Sequence, residues 1–93
     1  MTNTAIAPRE GASALIAREV RAELGRQQMS NRRLAAALGV SFMWVNRRIS
    51  TGETDLTVDD TERIAAVLGV PLRQLLDPWL NYAGSPTRPF TGA

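Results

Sequence analysis

The sequence predicts an all-α protein, a compact domain of five short helices. Three observations lead there. Apolar residues recur three and four apart, the spacing that places them on one side of a helix. Gly39 and Gly69 each follow such a stretch, where a helix ends most cheaply in a left-handed residue. No stretch has the polar–apolar alternation of a half-buried strand.

In chain order, residues 1–11 are small and polar, with Pro8 and Gly11, and read as a flexible N-terminal arm. The folded domain is expected over residues 12–77. Ser13 is the expected N-cap of helix one, whose core stripe is Ile16, Ala17, Val20 and Leu24. Arg18, Glu19, Arg21, Glu23 and Arg26 fall on its other faces, as weak exposed pairs. The helix should end near Gln27 or Gln28, with Met29 turning into the core. Ser30 caps helix two, which buries Leu34, Ala35 and Leu38 and stops at Gly39; Val40 then drops inward. Ser41 caps helix three, which runs to about Ser50 with Val45 and Ile49 inward. Residues 51–56 contain Gly52 and Asp55 and form a loop. Thr57 and Asp60 make a capping box for helix four. That helix turns Val58, Thr61, Ile64, Ala65 and Leu68 inward and ends at Gly69, with Val70 as an anchor. Pro71 suits the first position of helix five, Leu72, Leu75 and Leu76 form its apolar side, and Asp77-Pro78 should stop it. Residues 78–93 read as an irregular C-terminal tail, a packing or dimer segment with Trp79, Leu80, Tyr82 and Phe90.

Composition narrows the chemistry. Ninety-three residues make at most one domain with one modest core. There is no cysteine and no histidine, so thiol nucleophiles, disulfides, cysteine-ligated zinc and histidine general bases are excluded. Asp59, Asp60 and Glu62 cluster, but acids at a helix start oppose its dipole favourably, and that role suffices. The expectation is no enzyme, no metal and no cofactor. No apolar run approaches the roughly 18 residues of a membrane span. No basic-then-apolar leader is visible at the N-terminus, so the expected location is the cytoplasm.

Charge is unevenly placed. All eleven basic residues are arginine. Arg26, Arg32, Arg33, Arg47 and Arg48 lie between Leu24 and Gly52 with no acid among them. From Glu53 to Asp77 six acids face only Arg63 and Arg73. Such asymmetry suits a protein with one side turned to a polyanion, though a solvated arginine surface has the same composition.

The stretch from Asn31 to Ser50 sharpens that choice. Counted as twenty positions, it has Ala35 fifth, Gly39 ninth and Val45 fifteenth. Two helices crossing closely through a tight turn need a small residue, a glycine and a branched apolar residue at those offsets. This is the layout of a helix-turn-helix, whose second helix enters the major groove of DNA.

With Val20-Arg21-Ala22-Glu23-Leu24, Met29-Ser30, Leu34-Ala35, Leu38-Gly39-Val40-Ser41, Val45, Ile64-Ala65 and Leu68-Gly69-Val70, the chain resembles the phage repressor and Cro class of regulators. The resemblance covers roughly residues 13–76. It implies a lambda-repressor-like five-helix domain that binds duplex operator DNA and regulates transcription by blocking it, in a bacterial host if phage-encoded. The piece from Ser41 to Arg47 also resembles the recognition helix of the lactose-repressor class, with arginine at the place of Arg47. The sequence departs from the pattern at the eighteenth position, where Arg48 replaces an apolar residue and Ile49 follows; its loop to helix four is also longer by a residue.

With Val45 and Ile49 inward, a step of about 100° per residue puts Met43 and Arg47 on the opposite side and Trp44 and Asn46 on the flanks. The expected base readers are Phe42, Met43, Asn46 and Arg47. Arg47 suits guanine O6 and N7, Asn46 suits adenine or a phosphate, and Phe42 and Met43 offer only contact to thymine methyls. Expected phosphate contacts are Arg26, Asn31, Arg32, Arg33, Ser41, Trp44 and Arg48; at Asn31 the resemblance implies one. Arg9 gives the N-terminal arm a route to DNA, unless the arm has no role. The competing class is a protein-interaction module, antitoxin-like, with DNA binding secondary. There Trp79, Leu80 and Tyr82 either cover the domain's own core or form a partner surface. A homodimer through Leu75, Leu76, Trp79, Leu80 and Tyr82 and a monomer on DNA both remain open.

Overall fold

A computed structural model describes the backbone of residues 11–84 and the side chains of residues 11–81. The readings for Arg9, Tyr82 and Phe90, for most of the arm and for the end of the tail fall outside those side chains. The described residues are all-α, with no strand: α1 (Gly11–Gln27), α2 (Asn31–Leu38), α3 (Phe42–Val45, continuing over Asn46–Ser50), α4 (Val58–Leu68) and α5 (Leu72–Gly84).

Three helices start as their sequence dictates. The Ser30 hydroxyl accepts from the Arg33 N–H and the Ser41 hydroxyl from the Trp44 N–H. At α4 the Thr57 hydroxyl accepts from the Asp60 N–H, while the Asp60 carboxylate accepts from the Thr57 N–H. Each cap satisfies donors that the first helical turn leaves open. Helix α1 differs. It begins at Gly11, and the Ser13 hydroxyl instead accepts a hydrogen bond from the Leu56 N–H, tying α1 to the loop before α4.

The core gathers one face from every helix. Val20, Leu34, Val45, Ile49, Ile64 and Leu75 are fully enclosed, each contributing roughly 1.5–3 kcal/mol of hydrophobic stabilisation. Helix α1 lies along α5 and against the end of α3, and α2 packs on both α3 and α4. Met29, Val40 and Val70 pack at the edge of this core, half-covered.

Four expectations are corrected. Val58 is 68% exposed, because as the first residue of α4 it points away from the core; Leu56, placed in a loop by sequence, is buried instead. Helix α5 does not stop at Asp77-Pro78 but runs through Pro78 to Gly84. Proline removes one backbone donor, yet Leu72 and Leu76 pack against the core and Trp79 continues their apolar side at helical spacing. Trp79 and Leu80 thus belong to a helix, not to an irregular tail. Glu23, expected on an exposed face, is buried and joins three elements. Gln27 and Gln74 each donate to its carboxylate at 2.8 and 3.0 Å, and Gln27 also donates to the Leu68 carbonyl at 2.7 Å. The hydrogen bonds from Gln27 and then Arg26 hold the Glu23 carboxyl below its usual range.

Helix α3 changes pitch midway. From Asn46 to Ser50 its hydrogen bonding is of the wider π type, and the Thr51 N–H reaches the Asn46 carbonyl, five residues back, at 2.9 Å. A π turn accommodates one extra residue within a helix. Val45 and Ile49 are both fully enclosed, while Arg48 keeps part of its side chain outside. The apolar slot that lacked an occupant at position 48 is thus filled one residue later.

Candidate nucleic-acid interface

The start of α2 and the outer side of α3 come together through side chains. Asn31 Nδ2 donates to Ser50 Oγ at 2.9 Å, joining the first and last residues of the twenty-residue stretch. The Arg32 guanidinium sits 4.6 Å from the centroid of the Phe42 ring, so the N-terminal turn of α3 is held by a cation on α2. Between these elements lies a tight turn. Gly39 takes a left-handed conformation at φ 74°, and the Val40 N–H returns to the Ala35 carbonyl. Ala35 and Val45 are buried, as the close crossing requires. Arg63, from α4, donates to the Leu38 carbonyl at 3.0 Å and covers the end of α2.

The sequence-selected residues separate into groups. Arg32, Arg33, Ser41 and Arg47 are exposed, and Met43 is 47% exposed with no polar atom to satisfy. Phe42 is half-buried beneath Arg32, and Asn31 and Asn46 are half-buried. Trp44 is also half-buried and packs against the core edge. The Arg48 guanidinium lies 4.2 Å from the Trp44 ring, donates to the Trp44 carbonyl and pairs with Asp60 at 3.7 Å. Arg26 is placed elsewhere: it bonds Glu23 and Glu19 along α1, and these hydrogen bonds raise its affinity for the proton further.

Two arginines of the acid-free block therefore carry charge already offset inside the molecule, Arg26 and Arg48. Arg47 has a looser partner. Its Nε is 4.0 Å from Glu53, with both side chains more than half exposed. Exposed pairs of this kind contribute about 0–1 kcal/mol and open readily. Glu53 was not singled out by sequence, since its nearness to Arg47 depends on the path of the loop after α3. The same holds for Arg21, which donates to the Ile49 carbonyl from 28 residues away.

The electrostatics of α2 are unusual for a helix start. Its first turn holds no acid but does hold Arg32 and Arg33, at the end where the backbone dipole is already positive. Like charges there cost stability locally and favour an incoming anion. Among the described residues no cluster of three or more potential metal ligands occurs, and no helix is long and apolar enough to cross a membrane. No family model, no curated protein and no solved structure matches this chain.

Proposed function

We propose that the chain is a sequence-specific duplex-DNA-binding regulator of transcription, of the phage repressor or Cro type, that blocks transcription at an operator. It acts as a binding protein, not an enzyme. The observation that carries this is the join between α2 and α3: a tight glycine turn, an α2 start without acids, and arginines on the outer side of both helices. A helix presented this way fits the major groove, with its neighbour's start against the sugar-phosphate backbone.

Arg47 is the principal base reader, gripping guanine O6 and N7 after leaving Glu53. Met43 meets thymine methyls, and Phe42 and Asn46 are the flanking readers. Asn31, Arg32, Arg33, Ser41 and Trp44 take phosphates. Ser41 retains its hydroxyl proton for this, since its oxygen accepts the cap hydrogen bond. Arg26 and Arg48 contribute less, because Glu19, Glu23 and Asp60 offset them.

A second function, as a protein-interaction module, is favoured by α5. Leu80 is 44% exposed beyond Pro78, next to half-buried Leu76 and Trp79. That surface suits a second copy of the chain, and a dimer would carry two recognition helices to two half-sites. Selection of bound sequences from random duplex DNA tests both ideas. A palindromic site is expected of a dimer and a single asymmetric site of a monomer. Recovery of no preferred sequence would contradict specific DNA binding.

A further inference from the structure

Arg47 pairs with Glu53, and the loop that carries Glu53 is fastened to Arg47 itself. Between Glu23 and Glu53 the chain holds no acid, so Glu53 is the first to follow the arginine block. Gly52, left-handed at φ 75°, turns the chain back toward the end of α3. The Thr54 N–H donates to the Arg47 carbonyl at 3.2 Å, and the Thr51 hydroxyl donates to the same oxygen at 3.4 Å. The Glu53 N–H in turn donates to the Thr51 hydroxyl oxygen at 3.3 Å. These three bonds set the Glu53 carboxylate beside the Arg47 guanidinium, 4.0 Å from Nε. We infer that Glu53 is a built-in competitor of DNA for the Arg47 side chain, an autoinhibitory contact that lowers affinity for the operator. The inference rests on the proposed function, in which Arg47 is the base reader.

The tether separates this contact from an ordinary surface pair. An acid on an unattached segment would drift away once Arg47 turned to DNA. Glu53 stays, because its loop holds the Arg47 carbonyl, which remains in the helix whichever way the side chain points. Glu53 therefore competes at high effective concentration and recaptures the guanidinium whenever DNA lets go. Both side chains are more than half exposed, so the exchange needs no unfolding of the core. After it, guanine O6 and N7 hold the guanidinium, and the carboxylate is left unpaired beside a polyanion, where like charge opposes binding. Two hydrogen bonds to guanine outweigh one exposed ion pair, so DNA wins the exchange. The contact acts as a brake, up to about fivefold in Kd for a pair of this kind. Arg48 has no such brake to release, since its partner Asp60 sits in the capping box of α4.

The test measures binding of the full chain to the duplex selected from random sequences, at about 0.1 M salt. Glu53→Gln should tighten Kd about threefold to fivefold. Added to Arg47→Ala, the same substitution should change Kd by less than about twofold, because repulsion by one exposed carboxylate is largely screened at that salt. Glu62→Gln, which makes the same change of net charge on α4, should leave Kd unchanged. Circular dichroism of every variant controls for folding. No tightening by Glu53→Gln, or tightening of equal size without Arg47 or by Glu62→Gln, would overturn competition at Arg47. If neither the unmodified chain nor Glu53→Gln selects any sequence, the proposed function falls and this contact with it. Specific binding that Glu53→Gln leaves unchanged removes the contact alone.

Discussion

Two turns of this chain are built alike and serve different helix pairs. Leu38-Gly39-Val40 ends α2 and Leu68-Gly69-Val70 ends α4. Gly39 and Gly69 have φ of 74° and 71°, and each donates to an alanine carbonyl three residues back, Ala36 or Ala66. Val40 and Val70 donate to the Ala35 and Ala65 carbonyls at 3.0 and 3.1 Å. The backbones are punctuated identically. The helix starts are not. Helix α4 opens with a capping box and with Asp59 and Asp60 in its first turn, acids that suit its dipole. Helix α2 opens with Arg32 and Arg33 and no acid. One pair is satisfied by itself, and the other leaves a positive end open to solvent. Local departures from the stabilising choice are expected where a surface has work to do.

Four experiments, with five substitutions, break or sharpen that contrast. The largest effect is expected from Arg47→Ala, which should lose about 1–3 kcal/mol of discrimination at one guanine while leaving thermal stability nearly unchanged. Competition binding between the selected site and its single-base variants measures this. Gly39→Ala and Gly69→Ala come next. Nothing lies within 4 Å of a Cβ at either position, so the cost is backbone strain alone. Each should lower unfolding free energy by about 1–2 kcal/mol in urea melts, and by similar amounts. DNA binding at a temperature where both remain folded should suffer only for Gly39→Ala. Arg33→Glu should do opposite things to fold and function: a gain of about 0.3–1 kcal/mol in stability at low salt, with weaker binding to every DNA sequence. A loss of stability would mean that the α2 start is not electrostatically costly.

The fourth, smallest at neutral pH, concerns the clamp across α1, α4 and α5. Glu23 has its proton affinity lowered in the folded state by Gln27 and Arg26. Its contribution to stability is therefore complete above the ordinary carboxylate range and is lost as pH falls through the lowered folded value. Glu23→Gln should flatten the decline of stability with acid. An unchanged acid profile would remove Glu23 from that role.

Much of the fold was legible because local signals suffice for it. Ser30, Ser41 and Thr57 mark helix starts, Gly39 and Gly69 mark ends, and the spacing of Leu34, Leu38, Val45 and Ile49 marks one core face. The path of α5 was not legible, since Asp77-Pro78 is a valid stop signal that the helix nevertheless passes through, with Leu72 and Leu76 packed on the core before it. The buried place of Glu23 escaped for a similar reason: its partner Gln74 lies 51 residues away, and periodicity carries no such information. In the candidate interface, the exposure of Arg47 followed from counting round the helix. The engagement of Arg48 and Arg26 with acids did not, because it depends on where α4 and the faces of α1 come to lie.

The salt dependence of duplex-DNA binding tests the central claim most directly. Phosphate contacts by arginine release counterions, so log K should fall linearly with log salt, with a slope of about −0.9 for each phosphate engaged. Arg33→Ala should reduce the slope by about one, on the selected site and on unrelated DNA alike. Affinity that is independent of salt, or a slope that Arg33→Ala leaves unchanged, would contradict a DNA-facing start of α2.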